Sequence, residues 1–153
     1  MAIVHKISEE LFLDSFDLIA LHSNMECYAL AYQLNATFQI LLGRAKEDLE
    51  IGNLSYPIYE YKDEDKDEDW FLIKNMIQKE EANTSQGLFA ESMSIQWNYL
   101  LTERKEINFL LKRYPSNTLE IEEIIKAIRT IPRVSMAYQL NVEELKSKRN
   151  LIF

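Results

Sequence analysis

Six carboxylates stand within seven residues at Asp63, Glu64, Asp65, Asp67, Glu68 and Asp69. Oxygen ligands at alternate positions are what a hard cation such as calcium requires. The spacing departs from an EF-hand loop, because Glu68 occupies the glycine position and Lys74 the position of the bidentate glutamate. The same run read as a hairpin tip needs no ion, since clustered charge keeps a surface turn hydrated. A second grouping is His22, Glu26 and Cys27, at a strand-to-helix junction where a helix N-terminus lowers a thiol pKa. Glu26 opposes thiolate formation, and cysteine is among the most buried residue types, so Cys27 reads equally as a packing residue. His5 and His22 would share a metal only if the fold brought them to a carboxylate such as Asp17.

Other catalytic patterns are absent from the sequence. Gly43, Gly52 and Gly87 are isolated, so neither a phosphate loop nor a dinucleotide fingerprint can be drawn. There is no Gly-x-Ser-x-Gly elbow and no His-Glu-x-x-His helix. We therefore expect no cofactor and no resident metal. If a polar pocket exists, polarity at strand ends nominates Glu103, Asp17 and His22 for a small-molecule sensor or cryptic enzyme. Trp97, Tyr99, Phe109 and Tyr138 resemble the aromatic platform of single-strand binders, but such platforms sit among cations. A formal charge of -8 has the wrong sign, so these rings are expected in the core, and neither nucleic acid nor a membrane is an expected partner.

The end of the chain places basic Lys146, Lys148 and Arg149 beside apolar Leu151, Ile152 and Phe153. Two readings stay open for this tail, residues 146–153. Either it folds onto its own core, or it docks on a protein partner or a second copy. With catalytic motifs missing, the leading functional expectation is a non-catalytic interaction or adaptor domain.

These residues must be positioned by a rather small set of elements. Phe16–His22 is apolar toward both sides, as in an inner strand covered on two faces. A helix is expected over Met25–Thr37, capped by Asn24 and marked by Met25, Tyr28, Tyr32 and Ala36, and a strand over Phe38–Leu42. Tyr56–Tyr61 and Trp70–Ile77 flank the acidic run as a hairpin, with Pro57 at an edge or strand start. Met93, Ile95, Trp97, Tyr99 and Leu101 alternate with polar residues, predicting a strand with one buried face. Across the turn Thr102–Glu106, Ile107, Phe109 and Leu111 continue the alternation, so the two stretches are expected to pair, with Asn108, Leu110 and Lys112 pointing away from the apolar face.

Asn117 and Glu120 have capping-box form before the stripe Ile121, Ile124, Ile125 and Ile128, a helix that Pro132 must end near Ile131. Val134–Leu140 reads as one more half-buried strand, and Val142–Lys148 as a short helix. Together these predict one α+β domain over 1–153, with a mostly antiparallel or mixed sheet, two main helices on one face and a ferredoxin-like arrangement among the options. Its length allows a core burying about 70% of the unfolded chain's surface. One cysteine and no export signal or long apolar run at the N-terminus lead us to expect a reducing, cytoplasmic setting.

The segment Leu101-Thr102-Glu103, followed by Ile107-Asn108-Phe109, has the spacing of the signature that names the IPExxxVDY family of small bacterial proteins. Glu103 matches outright. Further pieces resemble that family: Ile131-Pro132, Met136-Ala137-Tyr138, Leu145-Lys146-Ser147-Lys148, Asn150-Leu151-Ile152-Phe153, and upstream the strand from Phe16 and the helix with Leu30-Ala31-Tyr32-Gln33-Leu34-Asn35. The resemblance implies a shared fold over most of the chain and no known reaction. Asn108 lacks the charge and Phe109 the hydroxyl of the signature, so an acid–base role for that motif is not expected here, and hairpin packing is.

Overall fold

The computed structural model describes residues 16–82 and 93–153. Among the described residues ten strands and two α-helices make an α+β fold, and every strand pairing is antiparallel. The main sheet contains β1 (Asp17–Ser23), β2 (Gly43–Arg44), β5 (Ile58–Asp63), β6 (Glu68–Lys74), β9 (Phe109–Tyr114) and β10 (Val134–Gln139), in the order β10-β1-β9-β6-β5-β2. Helices α1 (Cys27–Phe38) and α2 (Ile121–Arg129) connect β1 onward and β9 to β10. Both pack on the same face. The four strands β10-β1-β9-β6 with these helices reproduce the interleaved order of a ferredoxin-like core, to which β5 and β2 are added at one edge.

Alternation in the central strands explains why the sheet is covered twice. Ile19 and Leu21 of β1, Trp70 and Leu72 of β6, and Phe109 and Leu111 of β9 join Leu30, Leu34, Ile124 and Ile128 under the helices. Their neighbours Leu18, Ala20, Phe71, Ile73 and Leu110 face the other way. There they meet Leu100, Leu101, Ile107 and the end of the chain, where Val142, Leu145 and Leu151 are buried. Leu110 and Lys112 point away from the face that holds Phe109 and Leu111, as expected, but into a second buried layer and not to solvent. The second face is closed by loops and tail instead of by helices, which leaves no periodic signature in sequence.

The α2 stripe forms as expected, with Ile121, Ile124, Ile125 and Ile128 buried. Glu122 and Glu123 in its first turn and Lys126 and Arg129 in its last suit the helix dipole. The capping box does not form. Asn117 accepts from the Leu119 amide, while Glu120 turns to Arg113. In α1 the buried residues are Leu30, Ala31 and Leu34, and the stripe Tyr28, Tyr32 and Ala36 faces outward. Asn24 does not cap α1; the flanking residue is Glu26, with no side-chain capping bond. The helix ends at left-handed Gln39, so the strand expected over Phe38–Leu42 is a connection, pinned by Asn35, which exchanges two hydrogen bonds with the Leu42 backbone.

The acidic run does form a hairpin turn between β5 and β6. Smaller hairpins join β3 (Leu49–Ile51) to β4 (Leu54–Tyr56), and β7 (Met76–Ala82) to β8 (Met93–Tyr99). The last pairing corrects the expectation that residues 93–101 pair with 107–111. β8 takes β7 as its partner, and β9 is inserted between β1 and β6. Among the described residues no layer covers the two-stranded ribbon β7–β8, and Ile95 and Trp97 are more than half exposed. Among the four rings expected in the core, only Phe109 is fully buried; Tyr99 and Tyr138 are half-buried. The short helix expected over Val142–Lys148 is replaced by two 3-10 turns, Val142–Glu144 and Lys148–Leu151.

Candidate functional site

Asp17, His22 and Glu103 do not converge. Asp17 and His22 lie five residues apart on extended β1, about 16 Å at the usual strand rise, and point to opposite faces. Asp17 is buried and accepts from the Ser116 hydroxyl and the Asn117 amide, both at 2.9 Å, fixing the approach to α2. His22 Nε2 is 2.9 Å from the Tyr138 hydroxyl, which also accepts from Arg104 Nη2 at 2.9 Å. The phenol proton is then available to the imidazole. Arg104 in turn pairs with Glu106, whose carboxyl it holds below the usual range. Glu103 faces elsewhere. Its Oε1 accepts from the Ser147 amide and its Oε2 from the Ser147 hydroxyl, and these bonds lower its pKa against the opposing effect of burial.

The tail lies against its own core. Leu151 is fully buried, Ile152 half-buried and Phe153 43% exposed, while Lys146, Lys148 and Arg149 face outward to differing degrees. Asn150 donates to the Leu100 carbonyl at 2.8 Å, and the Phe153 ring meets Phe71 edge-on with centroids 5.2 Å apart. Leu151 is thus a core residue of this chain, and a partner would meet only its neighbours.

Other nominated groups resolve locally. Asp63 accepts from the amides of Asp65 and Lys66, so this carboxylate holds the turn itself, and Glu68 turns inward to Arg113. Among the described residues no cluster of three His, Cys, Asp or Glu is placed to hold a metal ion. His5 lies outside the described residues. Cys27 is half-buried, and burial pushes its thiol up to about 11, so it is protonated at neutral pH.

Three polar groups that the sequence did not single out are buried in the sheet. Asn75, between β6 and β7, is fully buried and bonded throughout: Nδ2 donates to the Arg104 and Ile107 carbonyls and Oδ1 accepts from the Leu101 amide. Arg113 is buried beside Trp70, donating to Glu68 and Glu120, with Asp17 3.9 Å from Nη1. Lys112 is 5% exposed, and Nζ donates to the main-chain oxygens of Leu151 at 2.8 Å and Phe153 at 3.3 Å. A lysine–arginine pair near a strand end reads as a solvated edge. Only knowledge that β9 is a central strand would have placed both cations inside.

Burial pushes the Lys112 ammonium down to about 8, with Asp69 opposing. The unfolded chain keeps the proton up to the ordinary lysine range, so across the interval from about 8 upward it binds more protons than the native state. Stability from this group therefore rises with pH through that interval, and below about pH 8 the cost of burying the charge is fully present. Urea midpoints at about pH 7 and pH 9.5 should show the parent gaining relative to Lys112→Met; parallel curves would contradict it. Tyr56 and Tyr59, whose phenols burial raises, bring an opposing effect only at higher pH.

Compared with protein-family models, curated proteins and solved structures, the chain matches none. No helix among the described residues is long and apolar enough to cross a membrane.

Proposed function

We propose that this chain is a non-catalytic, cytoplasmic protein-interaction domain whose contact surface is the outward face of α1. The observation that carries this reading is the stripe Tyr28, Tyr32 and Ala36. It has the spacing of a packing face, yet Tyr28 is 67% and Tyr32 70% exposed. Nothing on α1 compensates, for Cys27–Phe38 contains no charged residue in a chain that is 27% charged. A helix on a protein surface ordinarily turns charged residues outward. Tyrosine is also enriched at interfaces, because a large rigid ring contributes contact area and a hydroxyl with little entropy to lose. The separation of Asp17, His22 and Glu103 supports the non-catalytic part.

Placing a photocrosslinking residue at position 28 or 32 in cells should give one discrete adduct, whether to another protein or to a second copy. The same probe at exposed Glu122 of α2 should give none. A competing Tyr28→Glu, Tyr32→Glu chain, folded by its amide spectrum, should fail to displace the adduct while the parent chain displaces it. No adduct at 28 or 32, with the chain monomeric in sedimentation, would reject the surface.

We also propose that the resemblance to IPExxxVDY proteins reflects common architecture. The two stretches that carry it are bonded to one another, Glu103 to Ser147 and Leu100 to Asn150. A signature glutamate and a C-terminal pattern then have one structural reason to occur together.

A further inference from the structure

The outward stripe of α1 is uneven along its length. Tyr28 and Tyr32 stand out from the surface, and four residues further on the exposed position is held by Ala36. Residues four apart lie on one helix face, about 6 Å apart along the axis, so the face runs large, large, small, with Tyr32 at its midpoint. An isologous contact pairs residue i with j and j with i. A two-fold axis through Tyr32 runs two such helices antiparallel, seats each Tyr28 ring on Ala36 of the other copy and stacks the Tyr32 rings at the axis. A parallel pair would set Tyr28 against Tyr28 and Ala36 against Ala36, a clash at one end and a void at the other.

Charge favours the same partner. A protein recognised electrostatically needs an opposing charge on this surface, and Cys27–Phe38 carries none of either sign. Two copies of a chain with formal charge -8 repel one another over most approaches. An uncharged helix is where they meet at least electrostatic cost. Glu26, Lys74 and Arg44 are felt by the Cys27 thiol at the first turn of α1. The antiparallel arrangement keeps the two first turns about 15 Å apart along the axis, beyond the screening length of ~8 Å at physiological ionic strength.

We propose that the occupant of the α1 face is a second copy of this chain, packed helix to helix in antiparallel sense across a two-fold axis at Tyr32. This pairing rests on the interaction reading above and names its partner. One helix of 12 residues from each copy covers less than the ~800 Å² per partner of a standard interface. The dimer is therefore reversible, with a dissociation constant on the order of micromolar to tens of micromolar.

The test is sedimentation of the full chain over a concentration series reaching about 300 µM, well above the expected dissociation constant, at low and high salt. Dimer should form, and it should tighten as salt is added, because screening removes repulsion and no ion pair is lost. Tyr28→Ala should weaken it at least about tenfold, the order of effect for truncating a contact ring. Ala36→Tyr should weaken it too, by setting ring against ring. Combining Tyr28→Ala with Ala36→Tyr exchanges large for small at both ends and should restore the parent affinity to within about threefold. All three changes are on the surface, and amide spectra check that each variant is folded. A dimer that ignores Tyr28→Ala, one that weakens with salt, or one that the double exchange leaves as weak as the single variants would each overturn the pairing. A monomeric chain that still gives one adduct to another protein from position 28 or 32 would overturn it while leaving the interaction reading standing. A monomeric chain with no adduct would remove both.

Discussion

Asn75→Ala is expected to destabilise the protein by about 2–6 kcal/mol, because it orphans the Leu101 amide and the Ile107 carbonyl together, each costing ~1–3 kcal/mol when buried, while the Arg104 carbonyl keeps the Ile107 amide. The backbone of Asn75 is engaged as well, donating to the Asn108 carbonyl and accepting from the Leu100 amide. One residue therefore organises the loop from Leu100 to Asn108, which has no strand or helix of its own. Asn75→Asp keeps the acceptor for Leu101 but turns an oxygen toward two carbonyls, so it should be no better than alanine. Chemical denaturation of both variants checks this; a loss below about 1 kcal/mol for alanine would mean that the loop holds without its central amide.

The second large effect concerns the tail. Leu151→Ala should cost about 2–5 kcal/mol, the range for removing a fully buried leucine from a core that only partly collapses. Ile152→Ala, one position along and half-buried, should cost clearly less. Equal, small effects at both positions would mean that the tail spends much of its time away from the sheet. Deleting Leu151–Phe153 removes the core leucine together with both main-chain oxygen acceptors of Lys112. Loss of a partner after that deletion would accordingly report unfolding, and point changes at Tyr28 and Tyr32 are the sharper probe of an interface.

Local patterning made several elements legible. The Ile121 to Ile128 stripe, the two-sided apolar run of β1 and the charged turn between β5 and β6 are each set by neighbours in sequence. What the pattern could not supply was the choice among partners. Met93–Leu101 alternates as cleanly as any strand, yet alternation says only that a strand has two unlike faces and not that a layer covers one of them. The pattern puts Leu110 and Lys112 on the face opposite Phe109 and Leu111 but does not show that this face is buried too, because a face closed by 3-10 turns and loops carries no period to read. Candidate site residues suffered from the same gap. Asp17, His22 and Glu103 were grouped by polarity, whereas Asn75, Lys112 and Arg113 owe their importance to being buried, which only the strand order reveals.

The strand order also bears on how the chain is made. β1 is the inner strand with apolar side chains on both faces, and its two neighbours in the sheet, β9 and β10, come from the last third of the sequence. A nascent chain that has emerged as far as β8 holds β1 and α1 with no sheet to join. Distant pairings of this kind slow folding and leave sticky intermediates. Ribosome-bound chains halted before Phe109 should thus recruit chaperones, and release from them should coincide with synthesis of β10.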